Sequence, residues 1–491
     1  MYLGLDYGTS EIKALLIDAA GNIVHTHGVS LSIQRPQPHW SEQSAAEWWQ
    51  ATNDLMAAMR EKSGHHWQQI KAIGLSGQMH GAVLLDAADN VLRPVILWND
   101  TRSAAECAEL ETAVPDLHTI TGNLAMPGFT APKLLWVAKH EPEIFAQTAA
   151  VLLPKDYIRL LMTGNKVSEM SDAAGTLWLD VAKRDWSDEV LAACQLSRAH
   201  MPALIEGSQN SGTLLPEVAA QWGLNENVMV AGGGGDNAAS AVGVGAVQSG
   251  DAFISLGTSG VVFVVNDSYR PAPENAVHCF CHALPNRWHQ MSVMLSAAAG
   301  LSWYCKLAGV SEAELLEEIA ALSAEDKATS PIFLPYLSGE RTPHNDAHAA
   351  GIFYGLRHSA NRAVMGYAVI EGVSFGIADG VRVLQESGTE IQQASLLGGG
   401  ARSSWWAQLL ADILQFDIVT HQGGATGGAL GAARLAALAD GKNEAEVCHK
   451  PEIDRVYRPD AAHADKLGKR YAQFQALYKM DLAFRQASEK H

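Results

Sequence analysis

Positive charge is scarce in this chain: 35 lysines and arginines stand against 53 aspartates and glutamates over 491 residues, a formal net charge of −18. That deficit argues against nucleic acid or anionic membrane as the main partner, because a polyanion is repelled unless basic side chains gather locally. No basic helix of that kind is visible. Cysteine is sparse too: Cys107, Cys194, Cys279, Cys281, Cys305 and Cys448 are scattered, as expected of a reduced, cytoplasmic protein. The N-terminus enters a strand without a basic leader and apolar core. No apolar run reaches the roughly 18 residues that span a bilayer. A Walker-type Gly-x-x-x-x-Gly-Lys-Ser/Thr is absent, so any phosphate must be held by other backbone amides, a metal or a few basic side chains. What remains, 47% apolar and 18% charged, suits two or more globular domains, each with its own core.

The stretch 229–237 organises the rest. Val228 to Ala231 is an apolar run suited to a buried strand, followed by four glycines, Gly232 to Gly235, then Asp236 and Asn237. Glycines permit positive φ and close approach. An acid beyond the carboxyl end of such a strand, ahead of the small-residue helix 238–244, faces the crevice where α/β proteins bind ligands. There it can accept a proton; it reads equally as a helix N-cap.

Residues 2–18 pattern as a hairpin around Gly8-Thr9-Ser10, with Asp6 beside the turn. Its amides and hydroxyls suit a phosphate oxygen and Asp6 suits Mg²⁺, directly or through water, although plain polar turns use the same residues. Ser44 and Glu47, at capping-box spacing, predict a helix over 45–60 with Trp48 and Trp49 in the core. A strand over 70–75 ends in Ser76-Gly77-Gln78-Met79-His80-Gly81. Gln78 and His80 bring donors suited to sugar hydroxyls and Met79 an apolar wall, while a histidine here also fits a structural role. Trp98-Asn99-Asp100-Thr101-Arg102 reads as a polyol-holding cluster or a salt-bridged loop. Pro132 suits a first helical turn, with Leu135 and Trp136 on its buried face. Pro154-Lys155-Asp156-Tyr157 and Met170-Ser171-Asp172 read as ordinary surface.

Residues 253–265 repeat the opening pattern: apolar run, Gly257-Thr258-Ser259, apolar run. Two copies of one plan can set the two turns across a cleft, gripping a polyphosphate from both sides. His278-Cys279-Phe280-Cys281-His282 invites a zinc reading, but on a strand the cysteines and histidines face opposite sides and cannot converge. Arg341 suits a phosphate, an acidic side chain or the surface, and 362–386 reads as a helix. Ser395 to Leu397 runs into Gly398-Gly399-Gly400-Ala401-Arg402-Ser403-Ser404 and a helix to about 414, a nucleotide-sized cradle. It is no Rossmann fingerprint, since Ser403 stands where the last glycine belongs. Residues 423–433 suit tight helix packing, and 465–484 a final helix.

In this order the stretches resemble the FGGY family of carbohydrate kinases over nearly the full length, nearest to members acting on D-xylulose. The resemblance rests on Asp6-Tyr-Gly-Thr-Ser, Ser76-Gly-Gln-Met-His-Gly, Trp98-Asn-Asp, Gly128 to Trp136 with Lys133, Gly-Gly-Asp236-Asn237, Ser255-Leu-Gly-Thr-Ser-Gly, Gly339-Glu-Arg-Thr-Pro and Leu397-Gly-Gly-Gly-Ala-Arg. It implies an α/β fold of two actin-like, ribonuclease-H-like domains with an interdomain cleft. Residues 1–245 would carry the sugar and the base, and 246–491 the nucleotide. It implies ATP and Mg²⁺ as cofactors, transfer of the γ-phosphoryl group to the D-xylulose 5-hydroxyl, and Asp236 as general base. Gln78, Met79, His80, Trp98, Asn99, Asp236 and Asn237 would line the sugar site, and Asp6 and Asp236 would serve the metal. Gly8, Thr9, Ser10, Gly257, Thr258, Gly399, Gly400, Ala401 and Ser404 would hold the nucleotide. A homodimer is the expected assembly. One departure stands out: four glycines precede Asp236 where the family pattern has three. The alternatives are a family kinase for another ketose or polyol (ribulose, glycerol) and a non-enzymatic actin-like nucleotide switch.

Overall fold

The computed structural model describes residues 1–422 and 427–488 and contains two seven-stranded sheets of one plan. In the first, Tyr2–Tyr7, Glu11–Ile17 and Ile23–Ser30 form an antiparallel meander. Ala72–Gly77 and Met229–Ala231 add in parallel on the other side of Tyr2–Tyr7, and Asn210–Thr213 closes that edge. The second sheet repeats the meander with Ala252–Leu256, Gly260–Asn266 and Trp288–Met294, then the parallel pair Gln393–Gly398 and Asp417–His421. His278–Cys281 and Ile453–Tyr457 form its edges. The two Gly-Thr-Ser turns therefore occupy equivalent places, with Ser255 standing where the first copy has Asp6.

Tyr2–Tyr7 is apolar nearly throughout because both faces of its sheet are covered, as parallel strands require. One face packs Leu3, Leu5 and Tyr7 against Trp48, Leu55 and Met56 of the helix Ala45–Ser63. The other carries the helix Gly427–Ala439, which belongs to the second half by sequence. Small residues bring its backbone onto the sheet: a Cβ on Gly74 would lie 1.8 Å from the Ala432 carbonyl oxygen. The helix Asp236–Val244 packs on this same helix. The halves meet again where Phe129, Trp178 and Trp186 share a core with Phe253, Phe263 and Phe280.

Several expectations need correcting. Ser44 is the N-cap of its helix, but no capping box forms; Glu47 instead accepts hydrogen bonds from the Ser32 amide (3.2 Å) and hydroxyl (2.8 Å). A hydroxyl and an amide presented together satisfy the carboxylate better than one orphan helix amide. In the segment 423–433, residues 423–426 lie outside the described residues. The helix Arg362–Glu386 has the length and composition to cross a membrane, yet 94% of its most apolar window is buried, making it a core helix of the second sheet.

Candidate active site

Asp236 opens the helix Asp236–Val244 directly after the glycine run, and that run carries the geometry. Val230 pairs with Ile73, whereas Gly234 pairs with Ser76 and Gly235 with Gly77. Four steps on one strand thus match three on its partner, a one-residue bulge. Gly233 absorbs it with φ +82° and no room for a side chain, since a Cβ would meet the Leu75 carbonyl oxygen at 2.2 Å. The bulge takes up one residue of the glycine run within the strand.

The Asp236 carboxylate is half-buried. Its Oδ1 accepts from the Asn237 amide (2.7 Å) and side-chain Nδ2 (3.0 Å), while Oδ2 accepts no hydrogen bond among the described residues. It therefore steadies the first helical turn with one oxygen and keeps the other without a donor among the described residues. Burial pushes its pKa up to about 6; the neighbouring Asp6 charge adds to the rise, and the Asn237 bonds oppose it. Asp6 is itself raised by burial, against a hydrogen bond from Ser76 (2.9 Å) and the charge of Lys13. Two carboxylates raised chiefly by burial form a site that welcomes a proton or a cation. No cluster of three or more His, Cys, Asp or Glu side chains gathers as a metal site among the described residues. A magnesium ion held by Asp6 and Asp236 would take its other oxygens from phosphate and water.

Met79 lies against the collar: a Cβ on Gly235 would meet its sulfur at 2.9 Å. His80, in the left-handed region (φ +70°), bonds through Nδ1 to the Gly175 carbonyl at 2.6 Å. Its own carbonyl accepts from Lys133 Nζ (2.9 Å) and the Thr130 hydroxyl (3.1 Å). Burial lowers the imidazole to about 3, with Lys133 adding to the effect, so His80 is neutral at physiological pH. Phe129 packs on it edge-on at 4.6 Å, and Phe280 of the second sheet lies 6.4 Å away.

Gln78 is placed differently from expectation. It is buried, its Nε2 donates to Gln43 Oε1 (2.9 Å) and its Oε1 accepts from the Thr9 hydroxyl (3.3 Å), so it braces the first turn instead of facing the cleft. Trp98 is 45% exposed and donates through Nε1 to Thr9 Oγ1 at 2.9 Å. Asn99 Oδ1 is buried without a partner among the described residues, a group that a ligand hydroxyl would satisfy. Asp100 follows the salt-bridge alternative: it accepts from Arg102 (2.7 Å), whose guanidinium lies 3.6 Å over Trp40. Ser10 is exposed at its turn and Gly8 half-buried.

In the second half, Leu256 pairs with Gly398, which sets the Gly257-Thr258-Ser259 turn beside Gly399 and Gly400. Thr258 is exposed, and the Gly257 and Thr258 carbonyls accept amides from the start of the helix Ala298–Ala308. Among the described residues a Cβ on Gly399 would meet nothing within 4 Å, leaving an open shelf. Ala401 is half-buried, and Ser404 begins the helix Ser404–Leu414, exposed, with Arg455 at 3.4 Å from its hydroxyl. At the first turn, Gly428 near the start of the helix Gly427–Ala439 abuts the acid, a Cβ there lying 2.8 Å from Asp6 Oδ1. No hydrogen bond links the two turns among the described residues.

The metal-like run is engaged otherwise. His278 Nδ1 meets Asn123 Oδ1 at 3.0 Å and its Nε2 meets Arg341 at 3.3 Å; His282 Nε2 meets the Ala246 carbonyl oxygen at 3.3 Å. The largest correction concerns Lys155, Asp156, Ser171 and Asp172, expected at the surface and fully buried. Lys155 and Arg159 pair with Asp156, Glu169 and Asp172, and burial raises the Asp172 carboxyl to about 8, so that with a proton on Asp172 two cations face two carboxylates, the condition under which ionic groups tolerate burial.

Residues 1–243 match the N-terminal domain, and residues 252–439 the C-terminal domain, of the FGGY family of carbohydrate kinases. The chain is 54% identical over 481 residues to the xylulose kinase of Escherichia coli (strain K12), spanning 97% of this chain and 98% of that protein. It is 36% identical over 482 residues to the xylulose kinase of Bacillus subtilis (strain 168), spanning 97% and 96%. Among solved structures, the xyloylose kinase from Brucella ovis superposes with a TM-score of 0.95 at 51% identity over 98% of this chain and 99% of that one. The xylulose kinase from Rhodospirillum rubrum gives 0.90 at 28% identity over 98% and 99%.

Proposed function

The chain belongs to the FGGY family of carbohydrate kinases, a sugar kinase with two actin-like, ribonuclease-H-like domains, and we propose that it transfers the γ-phosphoryl group of ATP to the 5-hydroxyl of D-xylulose. The observation that carries the mechanism is Asp236: a half-buried carboxylate, one oxygen held and one free, with its pKa raised to about 6. Asp236 Oδ2 accepts the proton of the 5-hydroxyl as that oxygen attacks the γ-phosphorus in line. The bond from phosphorus to the β–γ bridging oxygen breaks and ADP leaves. General-base assistance of this kind contributes roughly 10²–10⁴-fold, and positioning much of the remainder.

Residues 1–245 supply the base and the sugar subsite, where Met79 offers the apolar wall, His80 a neutral imidazole and Asn99 an unpaired carbonyl oxygen. Residues 246–491 supply the nucleotide shelf at Gly257, Thr258, Gly399, Gly400, Ala401 and Ser404. The amides of both turns offset phosphate charge. Asp6 and Asp236 would hold Mg²⁺, which would supply further charge neutralisation at the phosphates. Closure of the lobes on sugar excludes water, so ATP hydrolysis without sugar is slow.

The reading is tested by assaying ADP formation from MgATP with a panel of pentuloses, hexuloses and polyols. D-xylulose should give the highest kcat/KM, with mass spectrometry showing the 5-phosphate. A higher value for ribulose or glycerol would reassign the acceptor, and sugar-independent ADP release throughout would remove the kinase reading.

A further inference from the structure

A run of four glycines is the least self-supporting backbone a chain can use, because no side chain restricts it. An acid aimed from such a run needs clamps supplied from elsewhere. We propose that Ser171 and Arg159 are those clamps: positioning residues that fix the two ends of the run Gly232 to Gly235 and thereby aim the Asp236 carboxylate. The inference rests on the reading of Asp236 as general base.

At the downstream end, the Gly235 amide donates to Ser171 Oγ at 3.0 Å. Ser171 is itself oriented, since its hydroxyl donates to Glu169 (2.8 Å) and so keeps its lone pairs for Gly235. Glu169 also accepts the backbone amides of Ser171 (2.8 Å) and Asp172 (2.9 Å), locking the first turn of the short helix Met170–Ala174. At the upstream end, Arg159 Nη2 donates to the Gly232 carbonyl. Its Nη1 is held by Asp156 and by the Val167 carbonyl, both at 2.5 Å. Lys155 ties the two clamps together, with Asp156 at 2.9 Å and Glu169 at 3.3 Å.

Every one of these side chains is completely buried. Buried ion clusters are weak sources of stability, since well-packed apolar residues frequently serve the core as well. What this cluster provides that an apolar core cannot is direction: a donor at Gly232 and an acceptor at Gly235, on either side of the bulge where the regular strand ladder is interrupted. Nothing in the chemistry requires Ser171 or Arg159 to touch substrate. Their effect passes through the backbone to the next residue, Asp236.

The test compares Ser171→Ala, Ser171→Thr and Asp236→Asn in the full-length enzyme with MgATP and D-xylulose. Ser171→Ala should lower kcat about 10-fold or more, since a misplacement of about 1 Å can cost as much as ~10²-fold. The KM for MgATP should stay unchanged. Ser171→Thr, which keeps the hydroxyl, should recover most of the rate. Should Ser171→Ala fail to fold, Ser171→Cys fills the volume with a poor acceptor and should show the same loss. Wild-type kcat in a folded Ser171→Ala or Ser171→Cys, with Asp236→Asn inactive, would overturn the clamp while sparing the base. Full turnover by Asp236→Asn would overturn both.

Discussion

Asp6→Asn probes how the cleft tunes its base. The Asp236 carboxyl is raised from 3.8 to about 6, a shift of about two units, or roughly 3 kcal/mol against the charged form at 1.36 kcal/mol per unit. A base must be ionised to act, so kcat/KM for the sugar should fall about tenfold per pH unit below about 6, reaching about one-tenth of its plateau at about pH 5. An ordinary aspartate would still be more than about 90% ionised there. Burial is the first cause of the rise and Asp6 a lesser one. Removing the Asp6 charge should therefore move the acid limb down by less than about one unit, whatever it does to the plateau through phosphate or metal contacts. The assay is coupled ADP release at subsaturating sugar across the acid range. A wild-type profile that stays flat to about pH 4.5, or an Asp6→Asn limb that moves upward, would refute this electrostatic account.

Two glycines separate packing from binding. Gly74→Ala would place a methyl 1.8 Å from the Ala432 carbonyl oxygen, and should cost about 3 kcal/mol or more by forcing helix and sheet apart; chemical denaturation reads it, and an unchanged midpoint would contradict the packing. Gly399→Val enters open space and should leave thermal stability nearly unaltered while raising the KM for MgATP several-fold, because the shelf for the nucleotide is partly filled. A lowered melting temperature with unchanged KM would contradict that placement.

Local patterns were the legible part of this protein. Both Gly-Thr-Ser hairpins, the strand ending at Asp236 and the helix Arg362–Glu386 follow from alternation, turn chemistry and periodicity within a few residues. What escaped depends on distant partners. Lys155 and Ser171 read as surface because charged and hydroxyl side chains are usually solvated; their burial becomes intelligible only once Asp156, Arg159 and Glu169 are in place. Arg159 reaches Gly232 across 73 residues, a pairing no window contains. Gln78 was expected to face sugar, but buried Gln43 turns it inward. The helix Gly427–Ala439 packs on a sheet whose first strands lie more than half a chain earlier, for which its run of glycine and alanine gives suitability but no address.

Turnover of Asp236→Asn with D-xylulose and MgATP tests the central claim most directly. The substitution preserves size and can still accept a hydrogen bond from Asn237, but it removes the proton acceptor. The account expects kcat to fall roughly 10²–10⁴-fold with affinity for metal-free ATP within about twofold of wild type, since the shelf at Gly399 and Gly400 is built on the second sheet. Turnover at the wild-type rate would show that the acid behind the glycines does not take the proton.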